Sequence, residues 1–391
     1  MLPAYYQFYC PVKILSGDNA LGYIPFEMTL LGVSRAMVVT DRGVAGAGLL
    51  SFLEAAFADS DSRIGHVFDE VPTDSSNRVA NRLADLFREQ KCDCFIAVGG
   101  GSAIDTAKGA AIVLSGETND LLDLQGAERI RKDLTPLIVV PTTAGTGSEA
   151  TRVAVIFNEE SNVKMSFVSD KLYPRVAVLD PRMTLTMPPR ITASTGMDAL
   201  THAVEAYLSV QKNPLSDAFA LLAVDLVRRF LVRATEDGRD REARFAMANA
   251  ALFGGIAFSN SMVGVVHALA HATGAVGHVP HGTANALLLP WGMEHNLDVS
   301  AKPMAELSFH LGGASGFLDP KEQAESTISL VRNLHRKLNS VSGLPLRLRD
   351  AGVVEDMLPA IARTAINDGT ILYNPGEVTI GDALGILRKA F

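Results

Sequence analysis

The sequence predicts an α/β layer with parallel strands over residues 1–187, followed by an all-α domain over residues 188–391. Two observations carry this. In the first half, short β-branched runs alternate with amphipathic stretches, the pattern of strands joined by crossover helices. Beyond Asp180 the segment DPRMTLTMPPR, with paired prolines at 188 and 189, ends that alternation, and from Ile191 onward the texture is helical with no strand periodicity.

Taken in order, the strands that stand out are 36–40 (AMVVT), 94–98 (CFIAV) and 137–140 (LIVV), each running into a loop rich in Gly, Asp or Thr. Between the first two, SNRVANRLADLFREQ (76–90) places apolar residues at helical spacing and predicts a crossover helix. TRVAVIF (151–157) reads as a further strand, with Val153 and Val155 on one face and Arg152 and Ala154 on the other, and the polar stretch 159–171 as a hairpin or loop. In the second half, 197–209, 214–233, 241–271 and 320–338 are the long helical runs.

Composition narrows the function. With 391 residues, 48% hydrophobic and 20% charged, the chain can bury a large core. A net charge of −8 argues against a polyanion binder, so nucleic acid is not expected as a partner. Cys10, Cys92 and Cys94 have no CxxC spacing, which points to a reducing, cytoplasmic setting rather than a disulfide framework. The start, MLPAYYQFYCPVKILSG, lacks the pattern of a secretory signal, and no apolar run reaches the ~20 residues a membrane span needs.

Strand CFIAV leads directly into GGGSAIDTAK (99–108), so glycine amides and a helix N-terminus are available to an anion such as a pyrophosphate. A strand, a glycine turn and a helix also form the commonest α/β connection, and the loop alone is only moderately specific. PTTAGTGSEAT (141–151) is a second such turn, and adds the hydroxyls of Thr142, Thr143 and Thr146. In an ordinary dinucleotide fold the ribose-reading acid follows the glycine loop by about 20 residues. Here the candidate is Asp41, well before the loop. A carboxylate facing the adenosine ribose accepts from the 2′-OH and repels a 2′-phosphate, favouring NAD, although a turn or helix-capping role for Asp41 is equally open.

Five of the nine histidines lie between 202 and 281. Asp198 and His202 in GMDALTHAVEAY are four apart in a helical stretch and share one face. His267 and His271 in HALAHATG have the same spacing, and Pro280-His281-Gly282 opens a further apolar helix that can return His281 to the same point. One carboxylate with two or three imidazoles suits Fe2+ or Zn2+ and poorly suits Mg2+ or Ca2+. Glu205, His66, His278, His295, His310 and His335 have no case beyond structure.

These four segments, GGGSAIDTAK, PTTAGTGSEAT, GMDALTHAVEAY and HALAHATGAVGHVPHG, in this order and spacing, resemble the nucleotide and metal signatures of the iron-containing (group III) alcohol dehydrogenases, and the likeness spans nearly the whole chain. The resemblance implies a dehydroquinate synthase-like fold, with an N-terminal dinucleotide-binding domain and a helical metal-binding domain. It implies Fe2+ on Asp198, His202, His267 and His281, with His271 beside the nicotinamide and substrate without binding metal. It further implies Gly100, Gly101, Ser102 and Asp105 at the pyrophosphate, Thr142, Thr143 and Thr146 along the cofactor, Lys164 toward the nicotinamide, Asp41 as the NAD-selecting acid, Phe258 and Val153 lining an apolar pocket, and a homo-oligomer. Val153 and the pair Trp291-Gly292 after LLLP are departures that bear on substrate.

The expected activity is therefore an NAD(H)-dependent interconversion of small primary alcohols and aldehydes, with His271 relaying the proton, because imidazole is the side chain that titrates near neutral pH. The site is expected in the cleft between the domains. A hydroxyacid-oxoacid transhydrogenase of the same family is the alternative. It requires a cationic pocket, and an inward-pointing Arg152 would shift the expectation from an uncharged alcohol toward a charged hydroxy acid.

Overall fold

The computed structural model describes residues 3–118, 120–161, 163–313 and 319–391. The chain divides into two compact units. One is built from Cys10–Thr143 and Gly147–Thr186; the other from residues 3–9, Ala144–Thr146 and Met187–Phe391. Residues 3–9, ahead of the first strand, and 144–146, between two strands, thus belong with the helical unit.

The first unit carries β1 (Lys13–Ser16), α1 (Ile24–Leu30), β2 (Arg35–Val39), α2 (Arg42–Gly46), α3 (Leu50–Ala56), β3 (Arg63–Phe68), α4 (Asn77–Glu89), β4 (Cys94–Gly99), α5 (Gly101–Leu114), β5 (Gly126–Ala127), β6 (Leu137–Pro141), β7 (Val153–Asn158), β8 (Val163–Val168) and β9 (Val176–Leu179). Six strands form a parallel sheet in the order β1-β9-β6-β4-β2-β3. Alternate residues of each strand face opposite sides, and both sides are buried, as parallel sheets require. Met37, Val39, Phe95, Ala97 and Val139 pack with Ala80, Leu83 and Phe87 of α4 and Ile104 of α5. Val38, Ile96, Val98 and Ile138 pack on the other side with Leu21, Ile24, Met28 and Leu53.

The expected strands 36–40, 94–98 and 137–140 are β2, β4 and β6, and the expected crossover helix is α4, capped by the Ser76 hydroxyl accepting from Val79 N at 3.3 Å. β1 and β9 escape sequence reading because they are only four residues long, and β3 (Arg63–Phe68, RIGHVF) because polar residues and a glycine interrupt its apolar run. The expected strand 151–157 appears as β7, which begins at Val153 and pairs antiparallel with β8, with Ala154 and Ile156 on the buried face and Val153 and Val155 half-buried. With β5 they form a separate three-stranded sheet.

Past β9 the described residues contain only helices and loops: α6 (Pro189–Leu208), α7 (Pro214–Glu236), α8 (Arg241–Ser259), α9 (Val265–Gly277), α10 (His281–His295), α11 (Leu297–His310), α12 (Pro320–Ser342), α13 (Leu358–Ala365) and α14 (Ile380–Ala390). None is long and apolar enough to cross a membrane. α6 is buried nearly all round, the mark of a central helix. The run 241–271 is two helices rather than one. The chain breaks at 260–264, where Met262 has φ 66°, and α9 starts afresh at Val265. The amides that this restart leaves unpaired find side chains far along the sequence: Val265 N donates to Asn374 Oδ1 at 3.2 Å, and Val266 N and His267 N donate to the two oxygens of Glu205 at 2.7 and 3.2 Å. A carboxylate at a helix N-terminus is also favoured by the helix dipole.

Candidate metal centre and nucleotide turn

Asp198 and His202 project from one face of α6, His267 stands in the first turn of α9, and His281 is the first residue of α10. One ligand atom from each of the four lies within 4.8 Å of all the others. Asp198 Oδ1 is the hub, 3.5 Å from His281 Nε2, 3.9 Å from His267 Nε2 and 4.0 Å from His202 Nδ1. Asp198, His202 and His267 are buried, whereas the His281 side chain keeps 32% of its surface exposed, so access is from the His281 side.

Glycines bring these elements close enough. A Cβ on Gly282 would lie 2.6 Å from the Ser194 carbonyl oxygen, and one on Gly145 would lie 2.7 Å from that of Thr195. Both glycines pack against the first turns of α6, and the Gly145 backbone hydrogen-bonds His202. Gly292, the departure noted after LLLP, has a packing cause: a Cβ there would lie 2.4 Å from Val266 Cγ2, next to His267.

The electrostatics prepare the cluster for a cation. Burial, then repulsion from His202, drives His267 well below the usual imidazole range; burial, only partly opposed by Asp198, does the same to His281. His202 is lowered by burial as well. Burial alone would raise the Asp198 carboxyl, but His202, His281 and His267, with a hydrogen bond from Asn285, hold it below its usual value. The result is a carboxylate with three neutral imidazoles, the protonation state a divalent ion needs. His202 Nδ1 is buried without a hydrogen-bond partner among the described residues. Such an orphan is costly in a folded protein, and a ligated ion removes the cost. The donors therefore fit a borderline transition-metal ion.

Three residues that sequence reading passed over complete the centre. Glu205 Oε2 accepts from His267 Nδ1 at 2.6 Å, leaving Nε2 turned toward Asp198, while both its oxygens cap α9. Burial pushes Glu205 up to about 7, against backbone hydrogen bonds from Val266, Gly264 and His267 that pull it down. Its signal was present in the i, i+4, i+7 series of Asp198, His202 and Glu205, which shares one helical face. Asn285, one turn after His281, donates from Nδ2 to Asp198 Oδ1 at 2.6 Å and lies 3.1 Å from His281 Nε2 and 3.3 Å from His267 Nε2. Asp368, 97 residues beyond His271, accepts from His271 Nδ1 at 2.7 Å. No local signal pointed to it.

His271 lies beside the cluster without being one of its four members. Its ring stacks on His281, with centroids 5.2 Å apart and planes 15° apart. Phe258 stacks on His202 at 4.4 Å, and so forms an apolar wall of the centre. His295 and His335 bond to the carbonyls of Glu377 and Pro345, and His278 sits in the left-handed cap of α9.

In the α/β unit, the glycine turn caps α5 at the end of β4. Gly100 is its N-cap, followed by Gly101, and a Cβ on Gly100 would lie 3.2 Å from Thr143 Oγ1. Asp41 Oδ2 lies 3.8 Å from the position a Cβ on Gly99 would take. The acid precedes the glycine loop in sequence, yet it meets it because β2 and β4 are neighbouring parallel strands whose carboxyl ends lie together. Asp41 also caps α2 through Oδ1, which accepts from Val44 N at 3.0 Å. Both roles weighed for this residue are thus sterically compatible.

Other residues of the turn are already engaged. Ser102 Oγ donates to the Thr73 carbonyl. Asp105 accepts from Ser148 Oγ at 2.8 Å and Val155 N at 3.0 Å, which braces loop 147–155 against α5. Lys108 finishes that brace: buried, it donates to Ser148, Thr151 and Val153, and burial lowers it to about 8. Thr142 N bonds Gly99 O, Lys164 pairs with Asp74 at 2.8 Å, and Thr146 travels with Ala144 and Gly145 into the helical unit. Arg152 is paired with Glu128 and Asp170.

Comparison with known families bears directly on this arrangement. Residues 11–181 match the model of iron-containing alcohol dehydrogenase, and residues 192–391 match that of the C-terminal region of the Fe-containing alcohol dehydrogenase family. The chain belongs to the iron-containing alcohol dehydrogenases. Alcohol dehydrogenase 4 of Saccharomyces cerevisiae is 36% identical over 388 residues, covering 98% of each chain. The crystal structure of a 1,3-propanediol oxidoreductase superposes with a TM-score of 0.95 at 36% identity, over 99% of this chain and 100% of that one. That of the sulfoacetaldehyde reductase from Bifidobacterium kashiwanohense in complex with NAD+ superposes with a TM-score of 0.87 at 28% identity, over 99% of both. This dehydrogenase is accordingly an oxidoreductase acting on alcohols, with the fold and the metal-binding His/Asp cluster of its family.

Proposed function

We propose that the enzyme interconverts small, uncharged primary alcohols and their aldehydes, using NAD(H) and a divalent ion, Fe2+ in preference to Zn2+, held by Asp198, His202, His267 and His281. The observation that carries the reading is the convergence of these four groups, with imidazoles kept neutral by burial. Held by these four residues, the ion would supply Lewis acidity toward the alcohol oxygen, and NAD would supply the hydride acceptor.

The remaining work falls to the chain. Glu205 orients His267 so that its Nε2 lone pair points at the cluster. Phe258 stiffens His202 and keeps water from that side. His271 takes the proton released by the alcohol through Nε2, its Nδ1 being engaged by Asp368. On the nucleotide side, the α5 N-terminus at Gly100 and Gly101 receives the pyrophosphate, with the Thr142 and Thr143 turn beside it, while Thr146 and Lys164 approach the nicotinamide portion. Asp41 accepts from the ribose hydroxyl through Oδ2. Ser102 and Asp105 act indirectly, by shaping the loops. The NAD+ complex of the similar sulfoacetaldehyde reductase supports this assignment of cofactor.

An uncharged substrate is supported by two observations. Arg152, the cation that an anionic hydroxy acid would call for, is paired with Glu128 and Asp170. Asp368 places a negative charge beside His271. Arg152, so paired, does not favour the transhydrogenase reading. Free cysteines at 10, 92 and 94 fit a cytoplasmic enzyme, and its association into a homo-oligomer belongs to the same proposal.

The test is anaerobic purification, metal quantification, and NADH consumption with a panel of short aldehydes and oxo acids, before and after chelation and with Fe2+ or Zn2+ restored. Aldehyde reduction that disappears on chelation and returns with Fe2+ supports the proposal. No NADH oxidation by metal-loaded protein across the aldehydes refutes it.

A further inference from the structure

His271 and Asp368 are joined by a strap that is fastened at both ends to α9. Asp368 begins a single-turn segment, Gly369–Tyr373, whose amide and hydroxyl at Thr370 both donate to Asp368 Oδ1 at 2.9 Å. The other end is Asn374, whose Oδ1 accepts from Val265 N, the first residue of α9, and from Asn296 Nδ2 at 2.9 Å. Asn374 Nδ2 in turn donates to Asn296 Oδ1 and to the Gly376 carbonyl, both at 2.8 Å. The strap spans α9 from Val265 to His271, and Asp368 cannot turn without giving up its bonds to Thr370.

This has a definite chemical effect on the ring. Oδ1 is taken by Thr370, so Oδ2 alone faces His271 Nδ1, at 2.7 Å. An ionised carboxylate only accepts hydrogen bonds, so the nitrogen that faces it must carry the hydrogen. Stacking against His281 fixes the plane of the same ring. Plane, flip and tautomer are all set, and Nε2 is left with the lone pair.

We propose that Asp368 is a positioning residue that locks His271 in the Nδ1–H tautomer, presenting a lone pair at Nε2 to the proton of the alcohol. In alcohol oxidation the O–H bond breaks, its electron pair stays on oxygen, and the proton goes to Nε2. In aldehyde reduction the same Nε2–H returns it. The proposal deepens the proton-relay reading of His271 and rests on it.

The informative substitution is Asp368→Asn. Thr370 N can only donate, so it holds the amide oxygen at the Oδ1 position and leaves the amide nitrogen facing His271 Nδ1. The isosteric side chain keeps the strap and inverts the preferred tautomer. In zinc-loaded protein with isotopically labelled histidine, two-bond proton–nitrogen correlation spectra report each tautomer directly, and His271→Asn identifies the His271 signals. Wild type is expected to show Nδ1–H, D368N the Nε2–H form, and D368A a mixture. Turnover by D368N should fall between about a hundredfold and ~10^4-fold, the latter being the loss when an Asp-to-Asn change inverts a serine-protease histidine, with KM for the aldehyde and bound metal nearly unchanged. In a His271→Asn background D368N should cost nothing further.

A wild-type Nε2–H tautomer, or an unchanged tautomer in D368N, overturns the proposal. So does an equal loss of turnover with and without His271, which marks a structural role. Full turnover by H271N would overturn the proton-relay reading separately, leaving the tautomer spectra to decide whether Asp368 positions the ring.

Discussion

Glu205 joins helix capping to metal binding, and replacing it by glutamine separates the two. Val266 N reaches one carboxylate oxygen at 2.7 Å, while His267 N, at 3.2 Å, and His267 Nδ1, at 2.6 Å, reach the other. A glutamine has one carbonyl for these two positions. With its oxygen toward Val266, the amide nitrogen meets His267 N–H and pushes Nδ1 into the acceptor state, which puts the ring hydrogen on Nε2, where the ion must bind. With its oxygen toward His267 the ligand tautomer survives, but a buried Val266 N–H faces an amide N–H at 2.7 Å, a loss of about 1–3 kcal/mol. Metal binding selects the second arrangement and therefore bears its cost. The expected result for Glu205→Gln is a metal Kd weaker by about 10- to 100-fold, or ~1.4–2.7 kcal/mol, in the range of lost outer hydrogen bonds to ligating histidines. Competition with a chromogenic chelator under anaerobic conditions measures it. An E205Q protein that folds and binds Fe2+ and Zn2+ as tightly as wild type would refute the assignment.

Other expectations follow from the same geometry. Because His202, His267 and His281 are all held below the usual imidazole range, acid should release the metal with a midpoint below pH 6.5, and release at or above that value would contradict the burial argument. In the apoprotein the same shifts mean that the folded state binds fewer protons than the unfolded state below pH 6.5, so stability should fall as pH falls through that point; Glu205, raised to about 7, works the opposite way between pH 4.5 and 7, one group against three, and chemical denaturation across pH 5–7.5 resolves the net sign. Gly282→Ala should destabilise the protein by about 1–3 kcal/mol and weaken metal binding, since its Cβ would meet backbone at Ser194, whereas Gly385→Ala on α14, with open space around it, should be neutral or stabilising by up to about 1 kcal/mol. Asp41→Asn preserves the cap on Val44 and removes the charge, so kcat/KM for NADPH relative to NADH should rise on the order of tenfold or more with little change in melting temperature; an unchanged ratio would leave Asp41 as a cap alone.

Periodicity in the sequence by itself determined the order of the two halves, the glycine turn after β4 and the Asp198/His202 pair. These features are local: a strand repeats every two residues, a helix every 3.6, and residues four apart on a helix share a face wherever the helix is placed. Spacing gathered His267, His271 and His281 near that pair, and family resemblance set His271 apart from the ligands, a distinction that helical spacing cannot make. Only the tertiary structure decided where the long run 241–271 breaks, because the amides exposed at 265–267 are satisfied by Glu205, 61 residues before Val266, and by Asn374, 109 residues after Val265. Only it showed that Asp41 meets a glycine turn nearly sixty positions later, through the adjacency of β2 and β4. It also assigned Asp105 and Lys108 to bracing a loop, and Asp368 to His271. Hydrogen bonds between groups far apart in the chain depend on how helices and strands stack, and stacking is set by the whole buried surface, which no short segment of sequence encodes.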